Sequence, residues 1–141
     1  MNTSEQQNKG LIQSVYDAFG RGDIQAILSN LTDDVDWTLE GPSIIPFTGK
    51  RKGVAQVKLF FDALATTQTN QKLTMEPLIA QGDQVAGVGR YAATVTATGT
   101  RFDTPVSHFF TIRNGKITRF VDVIETATVA NAYGAVSAAG R

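Results

Sequence analysis

The sequence predicts an α+β domain in which helices cover the concave face of a curved antiparallel sheet. Three observations carry this. Apolar residues recur at helical spacing from Leu11 to Leu64, they recur at strand spacing after Asn70, and the later runs are separated by short turn sequences. Consecutive strands joined by hairpins make a meander. A twisted meander wrapped around three N-terminal helices makes a cone with an apolar interior.

The elements follow in order. Ser4-x-x-Gln7 reads as a capping box for a first helix. Leu11, Ile12, Val15, Tyr16 and Phe19 form its apolar stripe, and Gly20 and Gly22 end it. Asp23 is placed to cap a short second helix carrying Ile24, Ile27, Leu28 and Leu31. Asp33-Asp34 breaks that pattern, and Val35 to Leu39 reads as a short strand. Gly41 to Gly53 reads as a loop, with two prolines and the basic cluster Lys50-Arg51-Lys52. A third helix follows with Val54, Val57, Phe60, Phe61 and Leu64 on one side. Lys72–Ala80, Gln84–Thr96, Phe102–Ile112 and Lys116–Glu125 read as strands, with Pro77 at an edge or bulge. Thr128 to Ala138 reads as a last short helix before a frayed tail.

At 141 residues the chain is expected to form a single domain over 1–141. Thirteen basic and thirteen acidic residues cancel, with no basic stripe, so nucleic acid is not an expected partner. There is no cysteine, which removes disulfides, thiolate metal sites and a cysteine nucleophile. One histidine and no calcium-loop spacing leave no metal site to expect. Walker, Rossmann and nucleophile-elbow motifs are missing, so no cofactor is expected. The polar start MNTSEQQNKG and the lack of any transmembrane-length run lead to the expectation of a soluble cytoplasmic protein with no membrane partner.

The stretch from Pro105 to Ala127 concentrates the chemistry. Asn114-Gly115 marks a hairpin, with His108 on the outgoing strand and Asp122 and Glu125 on the return strand. A three-residue loop, Arg113-Asn114-Gly115, pairs Ile112 with Lys116, faces His108 with Phe120 and puts Asp122 diagonally across from His108. A two-residue loop puts His108 and Asp122 on opposite faces. The favoured register sorts Phe110, Ile112 and Phe120 onto one face and Phe109, Ile117, Val121 and Val123 onto the other. A homodimer is expected to bury that second face.

These pieces resemble a family: the SnoaL-like, ketosteroid-isomerase-related members of the nuclear transport factor 2-like superfamily. The resemblance covers nearly the whole chain. It rests on Phe19-Gly20-Arg21-Gly22-Asp23, Leu31 to Trp37, Gly41-Pro42, Ile45 to Gly49, Gly53, Thr98-Gly99, Gly115-Lys116-Ile117 and the acidic strand end Asp122 to Glu125. It implies a cone with a pocket between helices and sheet, commonly assembled as a dimer. Ketosteroid isomerases use a tyrosine, a protonated aspartic acid and an aspartate base. Those positions fall here on Val15 (beside Tyr16), Ser107 and Leu39 (beside Glu40), so the resemblance does not carry steroid isomerisation over. SnoaL-type cyclases use an aspartate six residues past the lysine of the Gly-Lys-Ile turn, with a histidine on the preceding strand. Asp122 and His108 match. Limonene epoxide hydrolase-like members place an acid at Glu125.

The expected function is a small pocket enzyme acting on an apolar carbonyl-containing ligand by cofactor-free acid–base chemistry. Asp122 is the base, because desolvation makes a carboxylate a stronger one. His108 orients it or balances its charge. Tyr16 or Trp37 donates to the substrate oxygen, and Phe60 and Phe110 line the wall. Arg90 is a candidate anchor for a polar ligand, with an acid partner or a solvated face as alternatives. Glu125 is a further candidate, with helix capping as its alternative. The competing function is a ligand-binding or dimeric interaction module without catalysis, favoured if His108 fully satisfies the acid.

Overall fold

A computed structural model describes residues 3–135. Helix α1 (Thr3–Arg21) ends where Gly22 turns to a φ of 73°. Ser4 lies inside this helix, so the expected capping box does not form. The first turn docks instead on the turn between two later strands, where Glu5 Oε2 accepts from the Gly82 N–H at 2.7 Å. Helix α2 (Ile24–Leu28) is capped by Asp23, whose carboxylate accepts from the Ala26 N–H at 3.2 Å.

Strand β1 (Leu31–Leu39) starts earlier than expected and takes in the exposed Asp33-Asp34. The stretch read as a loop contains a strand, β2 (Gly49–Lys52), paired antiparallel to β1 at the sheet edge. Its lysines blunt that edge against pairing with another chain. Helix α3 (Val54–Thr67) follows, burying Val57, Phe60, Phe61 and Leu64. The single strand expected over 72–80 is two, β3 (Gln68–Met75) and β4 (Ile79–Gln81), both paired with β5 (Gln84–Val95). Pro77 sits in the break, since it has no N–H for a ladder. Strands β6 (Arg101–Arg113) and β7 (Lys116–Ile124) lead into α4 (Thr126–Ala132). The expected tail from Ala138 lies outside the described residues.

The sheet order is β2-β1-β7-β6-β5-β3. The meander is antiparallel as expected, but β1 pairs with β7 in parallel, so the sheet is mixed. Along β6 the alternation is complete: Phe102, Thr104, Val106, His108, Phe110 and Ile112 are buried, and Arg101, Asp103 and Ser107 are exposed. Trp37 and Phe110 face the interior, at 3% and 2% exposure. Among the described residues no helix is long and apolar enough to cross a membrane.

The β6–β7 register combines the two sequence alternatives. Asn114 and Gly115 both take positive φ, 52° and 76°, and form a two-residue loop that pairs Arg113 with Lys116. That loop alone would separate His108 and Asp122. The ladder then skips Thr118: Ile112 pairs with Ile117, whereas Thr111 pairs with Arg119. This extra residue is a β-bulge, and it shifts the parity of everything beyond it. His108 therefore stands directly opposite Asp122 rather than diagonal to it. For the same reason Ile117, expected on the outer face, is fully buried, while Val123 beyond the bulge is exposed.

A close backbone approach marks the meander's other side. A Cβ built on Gly89 would lie 2.2 Å from the Thr74 carbonyl oxygen and 2.9 Å from Met75 Cα. Neither can swing aside. Gly89→Ala is expected to destabilise the protein by about 1–3 kcal/mol, read from the denaturation midpoint. An unchanged midpoint would show that β3 and β5 can separate freely.

Candidate active site

A cavity of about 80 Å³ lies between helices and sheet. Its wall is largely aromatic. Trp37 packs on Phe120 at 4.2 Å between ring centroids, Phe120 on Phe110 at 4.8 Å, and Trp37 on Phe60 at 5.6 Å. Phe19 and Tyr16 from α1, Phe61 from α3, and Tyr91 from β5 complete much of the lining.

Few polar groups enter this wall, and most are occupied. Thr104 Oγ1 donates to the Pro105 carbonyl and accepts from the Glu125 N–H, both at 2.9 Å. The Tyr91 hydroxyl donates to Gln68 Oε1 at 2.5 Å, and Gln68 Nε2 donates to the Tyr133 hydroxyl at 2.8 Å. The remaining cluster is Tyr16, His108 and Asp122. The Tyr16 hydroxyl lies 2.8 Å from His108 Nδ1, and His108 Nε2 lies 3.3 Å from Asp122 Oδ1. The second contact is close enough for charge interaction but lacks hydrogen-bond alignment. Asp122 Oδ1 is buried with no hydrogen-bond partner among the described residues. Trp37 Nε1 is in the same condition at the same cavity.

The cluster has a definite proton logic. Burial, helped by the negative charge of Asp122, pushes the Tyr16 phenol well above its ordinary 10.0, so it keeps its proton. With a neutral imidazole, that proton is donated to Nδ1 and the ring proton sits on Nε2, facing Asp122. With a charged imidazole, Nδ1–H donates to the phenol oxygen and Nε2–H still faces the carboxylate. In both cases Nε2, 3.3 Å from Asp122 Oδ1, carries a proton.

Tyr91 is raised above 10.0 as well, first by burial. A phenol whose folded pKa exceeds its unfolded value stabilises the fold fully below the unfolded value. That contribution is lost as pH rises through the folded pKa. Stability is therefore expected to fall as pH climbs past 10, with Tyr16 and Tyr91 ionising only on unfolding. Absorbance at the phenolate band, followed with circular dichroism, tests this; full tyrosine ionisation in the folded protein would contradict it.

The structure brings together Tyr16, Trp37, Phe60, His108, Phe110 and Asp122 at the cavity. It does not bring Arg90 or Glu125. Arg90 is on the outer face of β5, where its Nε donates to Asp103 Oδ1 at 2.8 Å with both side chains more than half exposed. Its neighbour Tyr91 points inward, and alternation sends Arg90 the other way. Glu125 occupies the N-cap position of α4 and accepts from the Thr128 hydroxyl. Phe61, Tyr91, Phe102 and Phe120 also line the cavity; alternation along β5 and β6 signals Tyr91 and Phe102. Phe47 lines it from a loop, where no periodicity marks it. The isomerase base position, Leu39, is a buried side chain paired with Asp122, and Ser107 faces outward. Among the described residues no three metal-ligating side chains gather.

A family model for the SnoaL-like domain matches residues 12–120. The chain belongs to the SnoaL-like domain family. No curated protein matches it. Several solved structures share its fold. An NTF2-like protein of unknown function from Burkholderia pseudomallei K96243 is 25% identical, with 92% of this chain and 98% of that chain covered and a TM-score of 0.84. An NTF2-like protein from Burkholderia thailandensis E264 is 28% identical, covers 96% and 100% respectively, and has a TM-score of 0.81. TerC, co-crystallized with polyporic acid, is 29% identical, with coverage of 92% and 99% and a TM-score of 0.81. The SnoaL-like match ends at Phe120, so Asp122 lies two residues beyond it.

Proposed function

We propose that this SnoaL-like protein is a cofactor-free acid–base enzyme of the isomerase, cyclase or hydrolase type, acting on an apolar carbonyl-containing small molecule. Asp122 takes the proton from carbon next to the carbonyl. The pair of electrons left behind moves into the enolate. The protonated carboxyl then returns the proton at another carbon, or the enolate carbon bonds to a second carbonyl carbon, whose oxygen becomes an alkoxide and takes the proton back from the carboxyl. His108 keeps a donor beside the carboxylate, and Tyr16 orients the imidazole.

The observation that carries this reading is the free Asp122 Oδ1. A buried acceptor without a partner costs about 1–3 kcal/mol. A purely structural His–Asp tie would close that bond; here Asp122 lines the cavity and its Oδ1 has no hydrogen-bond partner among the described residues. That also weighs against the binding-module alternative. The co-crystallization of TerC with polyporic acid supports a small-molecule ligand. The test is a thermal-shift screen of carbonyl compounds against their parent hydrocarbons, followed by deuterium exchange at the carbon next to the carbonyl. Carbonyl ligands that bind without any exchange would favour the binding module.

We also propose that the outer sheet face joins two copies. Val88 and Val123 are 56% and 57% exposed there, each paired with Ser107 from opposite sides. Phe109 and Val121 adjoin them, half-buried. Sedimentation is expected to give a dimer at micromolar concentration, and Val123→Lys a monomer. A monomeric parent protein would contradict it.

A further inference from the structure

We propose that the Trp37 indole N–H, and not the Tyr16 hydroxyl, is the donor that holds the ligand's carbonyl oxygen, so that Trp37 and Asp122 grip an enolisable ketone at two points. The inference rests on the acid–base reading of the cavity.

Tyr16 is the obvious donor by residue type, but its hydroxyl is committed to His108 Nδ1 at 2.8 Å. Tyr91 and Thr104 are likewise occupied. Trp37 is not. It is 3% exposed, it lines the cavity, and its Nε1 has no partner among the described residues. Buried indole N–H groups ordinarily find an acceptor. Two residues of the cavity lining thus hold an unpartnered polar atom among the described residues, a donor at Trp37 Nε1 and an acceptor at Asp122 Oδ1. A hydrocarbon leaves both unpaired; a ketone with a neighbouring acidic C–H answers both.

The placement suits one ligand. Trp37 pairs with Phe120 across the β1–β7 ladder, and Asp122 lies two residues further along β7 on the same face. Two residues advance a strand by roughly 6.6 Å and neighbouring strands lie about 4.8 Å apart, so the two backbone positions are about 8 Å from one another. A carbonyl oxygen and the proton on the next carbon span such a gap, given a hydrogen bond of about 2.9 Å at one end and an approach of about 3 Å at the other. Phe120 and Phe110 pave the floor between them, which favours a flat, ring-containing body.

Trp37 is the chain's only tryptophan, so the indole N–H gives a single resonance. The probes are 2-tetralone and its hydrocarbon counterpart tetralin. Saturable binding of 2-tetralone is expected to move the indole N–H downfield, and tetralin is not. Trp37→Phe is expected to weaken 2-tetralone about fivefold, the worth of one hydrogen bond, while tetralin changes little. If both probes shift the resonance alike, or Trp37→Phe weakens both equally, Trp37 is only a wall and the proposal fails. Should Asp122-dependent exchange survive that result, the acid–base reading stands without it. A normal indole shift with no exchange would instead retain Trp37 and remove the base. If neither probe binds, both proposals fall.

Discussion

Asp122→Asn is expected to lower turnover of a carbonyl substrate by about 10²–10⁴-fold, the usual contribution of a general base. Asparagine keeps the size and the planar head group, so ligand affinity should change little. The expected effect on stability is also small. His108 Nε2 approaches Oδ1 at 3.3 Å without hydrogen-bond alignment, so the substitution breaks no formed bond there. Removing the charge also relieves the Tyr16 phenol of one of the two influences that raise it. Parallel kinetics and thermal melts separate the outcomes. Full activity in Asp122→Asn would show that the base is elsewhere. A loss of about 3–5 kcal/mol, as when one partner of a buried ion pair is removed, would mark the pair as structural.

Inserting one alanine between Thr118 and Arg119 is expected to be the most damaging single change to the fold. Thr118 is already the one residue that β7 carries in excess of β6. With a second, a loop pairing Arg113 with Lys116 and a one-residue bulge put Asp122 opposite Ser107, on the outer face. Arg119, Val121 and Val123 would then turn inward in place of Phe120, Asp122 and Ile124. Turning Phe120 out of the core costs about 3–5 kcal/mol. Deleting Thr118 is the matched control: Arg119 still meets Thr111 and Asp122 still meets His108, so the ladder keeps its pairs and loses only the bulge. Thr118→Ala keeps the residue count and loses only the 3.3 Å hydrogen bond from Thr32, worth about 1 kcal/mol. An insertion variant that melts like Thr118→Ala would show that the residue count of β7 does not set the register.

The same hairpin shows how much was legible in the sequence. Asn114-Gly115 announces its turn because both residues must take positive φ, and few pairs do so readily. The bulge has a quieter signal. Ile117 and Phe120 are both large and apolar, yet they stand three residues apart, where one face of a strand requires two or four. An extra residue between them reconciles the two, and Thr118 is that residue. The long alternations of β5 and β6 placed Phe110 and His108 correctly and contain the reason Arg90 faces away. Edge strand β2 was not legible, because a short, wholly charged or glycine stretch has no apolar face to alternate. The parallel β1–β7 pairing is set by how the ends of the chain meet across the sheet, which no local pattern encodes. The open state of Asp122 Oδ1 and Trp37 Nε1 depends on side-chain directions converging from different strands. Sequence could name both residues without showing that they were free.

On the proposed function, Asp122 takes a proton from carbon beside a carbonyl. The most direct test is deuterium wash-in from heavy water at the C1 position of 2-tetralone, followed by proton nuclear magnetic resonance under saturating protein. Exchange is expected well above the buffer rate with the native protein and at the buffer rate with Asp122→Asn. Exchange at the same rate with both proteins would contradict it.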